Sequence, residues 1–338
     1  MKGKTPYPDQ ARFVSRVCDQ LGLRFTDLDD GNGYLFQVSN GRAQFVSGDG
    51  RICAYPLNGA SANDISRDKS HTTAVLANAG LPAIPNALYF ITDTHAKLRP
   101  PGRELSDAID AVAQISGPVF CKPNAGSHGD LAEIVADAPA FLHYVERARR
   151  RYDAILLQPV IDGDEYRVFC LDGEAIFSLQ RASFSLVADG VGDLRALLTA
   201  DSARLDGTGI SPRDIEATLD YLRRNRDLPP GHVAAAGTRI ELPGRRNLSA
   251  GSEVGVFATE VPSALAVLAV RATQALGLRV GGVDIFDTSP KRDLSDLVVI
   301  EINGNPAIAS LSRIGRDDVV DRIWRQVLLT WFAEAGKA

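Results

Sequence analysis

Sulfur-containing residues and histidines are scarce in this sequence. Its 338 residues include four cysteines, one methionine and five histidines. No two cysteines form a CxxC pair, and no cysteine–histidine cluster has the spacing of a zinc site, which excludes the common structural zinc modules. A few scattered thiols in a chain of this size are typical of a reducing compartment.

Long apolar runs and an excess of positive charge are also absent. No apolar stretch reaches the roughly 20 residues that a membrane helix needs, and the first residues, Met1 to Pro6, lead into no apolar signal core. The formal net charge is −5, with lysines and arginines spread along the chain, which argues against a nucleic-acid partner. We therefore expect a soluble, cytoplasmic protein with no membrane and no nucleic-acid partner.

The sequence does contain amphipathic helices alternating with short strands. A helix is predicted over residues 9–21, because apolar residues recur on one face and Gly22 follows as a terminating cap. Pro262 is positioned to open another helix. The dipeptides Asn40-Gly41 and Asp172-Gly173 indicate β-hairpins. Helices mixed with antiparallel hairpins predict an α+β (mixed α/β) fold rather than a doubly wound parallel sheet.

Two acidic strands near the end of the chain form the most specific pattern. Residues 280–287 and 297–303 flank a polar loop centred near residues 292 and 293, so a simple hairpin places Asp284 opposite Glu301. Asn303 shares the face of Glu301, because residues two apart on a strand point the same way. Two carboxylates held together are costly unless a cation lies between them, and Mg²⁺ prefers such oxygen ligands. The alternative is a solvated, exposed sheet face.

Two lysines lie beside candidate anion-binding backbone. Lys122 ends an apolar strand and precedes a glycine-containing loop at 123–129, where it could reach a phosphate. The loop matches neither a Walker P-loop nor GxGxxG, so a surface lysine and an ordinary turn remain an alternative. Lys69 begins a helix for which Ser66 or Asp68 is the candidate cap. A serine nucleophile at Ser66 is disfavoured, because the partner motifs of that class are absent.

An apolar strand over residues 154–160 leads into an acidic turn that contains Glu165. With a free edge, this strand could hydrogen-bond a flat heterocycle through its backbone, and Glu165 could accept hydrogen bonds from sugar hydroxyls. The alternative is an interdomain connector whose acidic residues are solvated.

Taken in order, these segments resemble the ATP-grasp superfamily, and in particular the ATP-grasp module of cyanophycin synthetase and bifunctional glutathione synthetase. The resemblance spans roughly residues 30 to 310. The matching segments are residues 68–82, 122–129, 163–167, 246–251, 282–284 and 301–306.

The resemblance implies two α+β subdomains that grip ATP, with a small N-terminal domain in front. The expected division is a small domain over residues 1–62, a central subdomain with the phosphate loop over 63–157, and a C-terminal subdomain with the metal site over 158–338. The expected cofactors are ATP and Mg²⁺, with Mn²⁺ as an alternative metal.

The resemblance also implies roles for individual residues. Phosphate contacts fall to Lys69, Lys122 and the loop residues Gly126, Ser127, His128 and Gly129; the adenine lies along Gln158, Val160 and Ile161; Glu165 holds the ribose. The implied metal ligands are Asp284, Glu301 and Asn303, and the implied catalytic residues, which stabilise the γ-phosphate or acyl phosphate, are Arg181, Arg246 and Asn247.

The implied activity is an ATP-dependent ligase. A carboxylate would be activated as an acyl phosphate and coupled to an amine, such as that of an amino acid or peptide, with release of ADP and phosphate. Two alternatives stay open: a small-molecule kinase of the same fold, and a non-catalytic nucleotide-binding module. A homodimer is one option for the assembly.

Overall fold

The structure, a computed structural model, describes residues 7–126, 129–161, 163–181, 185–201, 215–242 and 254–337. Ten α-helices and fourteen strands lie in these ranges. The strand ladders are antiparallel, apart from an isolated parallel bridge between Ala83 and Val299. The predicted α+β class is therefore confirmed. None of the helices in these ranges is long and apolar enough to cross a membrane.

The N-terminal part of the chain is a helix followed by a three-stranded sheet. Gly22 ends the helix in the left-handed region at φ 66°, as its position predicted, and Asn40-Gly41 lies in the turn of the predicted hairpin. The elements are α1 (Asp9–Leu21), β1 (Arg24–Asp27), β2 (Leu35–Ser39) and β3 (Gln44–Gly48), with sheet order β1-β2-β3.

Two short helices, α2 (Ala60–Arg67) and α3 (Lys69–Asn78), connect this part to the first larger sheet. Of the two candidate caps for α3, the structure uses Asp68, whose side chain accepts a hydrogen bond from the His71 amide at 2.9 Å. Ser66 instead donates its hydroxyl to the backbone of α2. Asp68 therefore caps α3 and fixes the position of Lys69, its first residue.

The first larger sheet has four strands in the order β4-β7-β5-β6 and is covered by two helices. Its buried core includes Phe141, Tyr144 and Ile155. The elements are β4 (Ala87–Phe90), a 3₁₀ turn (Ala96–Leu98), α4 (Leu105–Gln114), β5 (Val119–Pro123), β6 (Glu133–Val135), α5 (Ala138–Ala148) and β7 (Ala154–Pro159).

The strand β7 lies inside this sheet, which corrects the expectation of a free edge. It pairs with β5 along 155–159 and with β4 along 154–157. On the side that faces β4, only Gln158 and Pro159 of β7 therefore lack a partner in β4. A sequence pattern of this kind cannot distinguish an interior strand from an edge strand, because both are apolar.

The second larger sheet has five strands in the order β12-β9-β8-β13-β14. Its β8–β9 hairpin turns at Asp172-Gly173, as predicted. The elements are β8 (Asp164–Leu171), β9 (Glu174–Arg181), β12 (Val254–Ala258), α8 (Ser263–Ala275), β13 (Val280–Asp287), β14 (Leu297–Asn303), α9 (Ala309–Arg313) and α10 (Asp317–Ala335).

A small lobe is inserted between β9 and β12 and has its own core, which includes Leu194, Leu198 and Leu222. Its described elements are β10 (Ser185–Val187), α6 (Leu194–Ala200), α7 (Ile215–Arg226) and β11 (Arg239–Glu241). The described part of α7 begins at Ile215.

The two faces of the five-stranded sheet belong to different cores. On one face, Phe169 and Trp324 share a cluster with Phe13 and Tyr55 of the N-terminal part. On the other face, α8 packs together with α2 and α3. The N-terminal part thus has no separate core of its own among the described residues. The predicted domain boundaries stay a prediction.

Candidate active site

The β13–β14 hairpin brings the predicted acidic side chains together. Asp284 pairs with Glu301, and Gly282 pairs with Asn303, in the register that the sequence predicted. A bulge follows directly after Asp284, so the register shifts only beyond the acidic pair. Asp284 is buried with 1% of its surface exposed, whereas Glu301 is partly exposed.

Three oxygen-bearing side chains therefore share one end of this hairpin. The Asn303 carboxamide donates to the Glu301 carboxylate at 3.3 Å, which leaves its own oxygen available. In the described ranges no group of three or more His, Cys, Asp or Glu could hold a metal ion. The donor set is thus two carboxylates and one carboxamide, which fits a hard cation such as Mg²⁺ better than zinc.

Two arginines from neighbouring strands approach Asp284. Arg167 donates two hydrogen bonds to its carboxylate, each 2.7 Å long, and Arg181 lies 3.3 Å from both oxygens. Burial alone would lower the pKa of Arg167, but the charge and hydrogen bonds of Asp284 raise it above its ordinary value. Both oxygens of the Asp284 carboxylate therefore have arginine partners.

Glu165 also takes part in this network. It lies on β8, is buried, and forms an ion pair with Arg181. The Nε atom of Arg181 is buried and has no hydrogen-bond partner among the described residues. Glu165, which was predicted to hold a ribose, thus lies next to the predicted metal ligand Asp284, and Arg181 contacts both carboxylates.

Arg167 is a site residue that the sequence reasoning missed. The signal was present, because Glu165 and Arg167 are two residues apart on one strand and must share a face. What the sequence did not reveal is that β8 lies beside β13, which places Arg167 opposite Asp284.

The two predicted phosphate lysines approach the same carboxylates from outside the five-stranded sheet. Lys69 donates to the Gly126 carbonyl at 2.5 Å, and its Nζ lies 3.7 Å from a Glu301 oxygen. Lys122, on β5, is 5% exposed. Within the described ranges no hydrogen bond or ion pair involves the Lys122 ammonium, so it is available to an anion.

The charges in this cluster shift two pKa values. Burial alone would raise the pKa of Glu301, but Lys69, Lys122 and Arg167 outweigh it and hold the pKa at about 2. Burial lowers the pKa of Lys122 to about 8, against the opposing pull of Glu301. At neutral pH the carboxylate is therefore ionised and the lysine remains mostly charged.

The base of the predicted phosphate loop is tied to the start of α3. The Asn124 side chain accepts from the Ser70 amide at 3.0 Å and donates to the Asp68 carboxylate at 2.8 Å. The Asn124 carbonyl accepts from the Lys69 amide. Gly126 follows this anchor, while Ser127 and His128 lie outside the described residues. Gly129 adopts the left-handed region at φ 66°.

The predicted adenine residues lie at the end of β7. Gln158 is buried and pairs with Phe120. Val160 is 41% exposed, and Ile161 is partly exposed. No hydrogen bond or ion pair in the described ranges joins these three side chains to the charged cluster. Arg246 and Asn247 lie outside the described residues.

The structure thus joins eight of the predicted residues in one cluster and leaves the others apart or undescribed. The members of the cluster are Lys69, Lys122, Gly126, Glu165, Arg181, Asp284, Glu301 and Asn303. Arg167 joins them, and their assigned roles stay predictions.

Comparisons with known proteins show which proteins the chain is similar to. Residues 231–327 match the model of the RimK-like ATP-grasp domain. The chain is 26% identical over 223 residues to the glutathione biosynthesis bifunctional protein of Desulfotalea psychrophila, a match that covers 62% of this chain and 29% of that protein. It is 26% identical over 252 residues to cyanophycin synthetase of a Nostoc species, covering 72% of this chain and 26% of the relative.

A solved structure shares the fold. The bifunctional glutathione synthetase of Pasteurella multocida superimposes with a TM-score of 0.51 at 22% identity, covering 88% of this chain and 41% of that one. The chain spans less than a third of the length of the two curated relatives.

These matches confirm the predicted resemblance to the ATP-grasp superfamily. Within that superfamily, its matched segment is of the RimK-like type.

Proposed function

We propose that the chain binds ATP with Mg²⁺ and joins a carboxylate to an amine through an acyl phosphate, releasing ADP and phosphate. The acid and the amine are of the amino-acid or short-peptide class. This class is supported by the two curated relatives, which are named for glutathione biosynthesis and cyanophycin synthesis. Mn²⁺ is proposed as an alternative metal.

The observation that carries the proposal is the charge pattern around the β13–β14 hairpin. Four cationic side chains and three carboxylates meet there among the described residues: Lys69, Lys122, Arg167, Arg181, Glu165, Asp284 and Glu301. The cations outnumber the carboxylates by one, which favours an anionic ligand. The carboxylates at the same place supply the hard oxygen donors that a metal–phosphate complex requires.

The lysines act first as charge partners for phosphate. Lys122 is buried and has no protein anion in hydrogen-bond contact within the described ranges, so a phosphate oxygen would offset its burial. Lys69 is held between the loop carbonyl of Gly126 and Glu301, where it can follow the phosphates when the loop closes. Closure would keep water from the acyl phosphate.

Asp284, Glu301 and Asn303 would hold the metal. Bound there, Mg²⁺ supplies Lewis-acid stabilisation of the charge that develops on the transferred phosphoryl group. Arg181, whose Nε is buried and unpaired among the described residues, would turn toward that group, with Arg167 retaining Asp284. We keep Arg246 and Asn247 as proposed partners of the acyl phosphate.

The nucleoside would lie against the end of β7. Gln158, Val160 and Ile161 extend past the last residue that β4 pairs, so backbone groups there are available for the adenine. Glu165 is proposed to accept from the ribose hydroxyls. Gly126, Ser127, His128 and Gly129 would cover the phosphates.

The test is ATP turnover across a panel of acids and amines. Phosphate release is measured with amino acids and dipeptides offered as either substrate, and the products are weighed by mass spectrometry. We expect an amide whose formation requires ATP, the metal and both substrates. Glu301→Ala should remove turnover, whereas Glu174→Ala, at the exposed start of β9, should not.

Other outcomes point to the other functions. A phosphorylated product that forms without any amine would favour a kinase. Nucleotide binding without turnover for every acid and amine would favour a binding module. Wild-type rates in Glu301→Ala would contradict the metal assignment.

Two further proposals concern the location and the assembly of the protein. We propose a cytoplasmic location, which is supported by four cysteines that are all free thiols. We also propose a homodimer, which light scattering on the purified protein would test, with a monomer mass contradicting it.

A further inference from the structure

The backbone directly after the metal-ligand residue Asn303 is held by the N-terminal part of the chain. The Gly304 carbonyl accepts from the Asn58 side chain at 2.7 Å, and the Gly304 amide donates to the Ser66 hydroxyl at 3.0 Å. Both polar groups of this peptide are therefore fixed by residues that lie more than 200 positions earlier.

The next two residues are held in the same way. The Asn305 side chain accepts from the Ala54 amide and donates to the Ile52 carbonyl, each at 3.1 Å. The Pro306 carbonyl accepts from the Tyr55 hydroxyl at 2.9 Å and from Nε2 of the Gln10 side chain at 3.4 Å. Three consecutive residues after Asn303 thus form hydrogen bonds with residues in the range 10–66.

Asn58 has a second set of partners. Its Nδ2 also donates to the Val280 carbonyl at 2.8 Å, and its Oδ1 accepts from the Arg279 and Val280 amides, each at 2.9 Å. One carboxamide therefore joins the start of β13 to the end of β14. These are the two strands that bear Asp284, Glu301 and Asn303.

Tyr55 is rigidly placed for its contact with Pro306. It is 1% exposed, and its ring stacks on Trp324 with centroids 4.9 Å apart and planes 7° from parallel. The stacked ring fixes the place of its hydroxyl, which donates to Pro306 and also accepts from the Gln10 side-chain amide at 3.4 Å.

We propose that Asn58 and Tyr55 are positioning residues for the metal site: they fix the end of the β13–β14 hairpin so that Glu301 and Asn303 reach the ion together. The inference rests on the proposed function. Neither residue touches metal or substrate, and groups that orient metal ligands commonly alter metal affinity when they are removed. The N-terminal part thereby becomes a structural component of the metal site.

The test measures metal binding in the full chain without turnover. Calorimetry gives two affinities of the wild type. One is for Mn²⁺ in the presence of a non-hydrolysable ATP analogue, and the other is for the analogue in the absence of metal. Tyr55→Phe removes the hydroxyl that donates to the Pro306 carbonyl and accepts from the Gln10 side chain. We expect Mn²⁺ to bind about threefold to tenfold more weakly, the equivalent of one lost hydrogen bond, while the metal-free affinity for the analogue stays unchanged.

The matched control is Tyr144→Phe. Tyr144 is also fully buried, but its hydroxyl has no hydrogen-bond partner among the described residues, so this variant should bind Mn²⁺ like the wild type. Asn58→Ala is the second variant, compared with Asn32→Ala, which removes one hydrogen bond to the Asp29 carbonyl in the loop between β1 and β2. Mn²⁺ affinity should fall further in Asn58→Ala than in Tyr55→Phe.

The possible results distinguish a failure of the proposed function from a failure of the positioning inference. If the wild type binds no Mn²⁺ with the analogue, the proposed function fails. If the wild type binds but Tyr55→Phe and Asn58→Ala match their controls, only the positioning inference fails. Equal losses of affinity with and without metal would show a merely structural role and would also overturn it.

Discussion

Arg167 and Asp284 lie opposite each other on β8 and β13 and are joined by two hydrogen bonds of 2.7 Å. Asp284 is buried and the Arg167 side chain is only 18% exposed, so neither charge could remain in place alone without a large desolvation cost. A carboxylate proposed as a metal ligand is therefore stabilised by the protein before any metal arrives. The sheet can form around it in the absence of ligand.

Replacing Arg167 should destabilise the fold. In Arg167→Gln the Asp284 carboxylate keeps only the longer contacts with Arg181, and breaking a buried pair from one side costs about 3 kcal/mol. Urea unfolding monitored by circular dichroism measures the free energy of unfolding. The double variant Arg167→Gln with Asp284→Asn should recover part of the loss, since it removes the uncompensated charge.

Arg279→Gln is the matched control for that experiment. Arg279 makes bidentate contacts with Asp172 and Glu334, but all three side chains are about a third exposed or more. Solvent-exposed pairs contribute about 0–1 kcal/mol. Equal losses in both arginine variants would contradict the special role assigned to the Arg167–Asp284 pair.

Nucleotide binding should weaken at alkaline pH through Lys122. Its pKa in the nucleotide-free protein is lowered by burial to about 8, so the ammonium loses its proton as the pH rises past that value. If the charged form alone binds phosphate, ATP affinity should be about tenfold weaker at pH 9 than at pH 7. The measurement is calorimetric titration with ATP and Mg²⁺ across that range.

Lys122→Arg tests the assignment, because a guanidinium stays charged at these pH values. Its ATP affinity should be nearly constant from pH 7 to pH 9, whatever its absolute strength.

The lowered pKa of Lys122 also affects how the stability of the protein depends on pH. A lysine pKa below its unfolded value costs stability when the pH is below about 8, and that cost is relieved as the pH rises toward the unfolded value.

The sequence was sufficient to predict the acidic pair but not its partners. The loop between residues 287 and 297 is short and polar, so its midpoint fixes the register that places Asp284 opposite Glu301. That inference needs only local information. The bulge after Asp284 was not predicted, because nothing in the composition of the strand distinguishes it.

The contacts of Arg167 and Asn58 could not be predicted in the same way. Arg167 reaches Asp284 across 117 positions, and Asn58 reaches Gly304 across 246. Such contacts depend on the order of strands in the sheet, which apolar alternation does not encode. The free edge expected for β7 was wrong for the same reason: only its last two residues lack a partner in β4.

Asn124 should control the affinity for ATP more than the rate of chemistry. Its side chain links the base of the loop to Ser70 and Asp68, so Asn124→Ala leaves the loop less firmly placed and the Ser70 amide without that partner. We expect KM for ATP to rise about threefold to tenfold, the effect of one or two lost hydrogen bonds, with a smaller change in kcat. Steady-state kinetics separates the two parameters, and a fall in kcat alone would contradict the assignment.

Gly304 should not tolerate a side chain. A Cβ at this position would lie 2.7 Å from the Ser66 hydroxyl, 2.9 Å from the Asn63 oxygen and 3.0 Å from a Leu278 methyl group. Gly304→Ala should therefore lower the free energy of unfolding by about 1–3 kcal/mol, the usual cost of overpacking. The control is Gly231→Ala, where an added Cβ meets nothing within 4 Å.

Because the clash lies one residue after Asn303, Gly304→Ala should also raise the Mg²⁺ concentration needed for half-maximal nucleotide binding, whereas Gly231→Ala should not. An unchanged metal requirement in a folded Gly304→Ala protein would mean that the end of β14 does not need its present position to hold the ion.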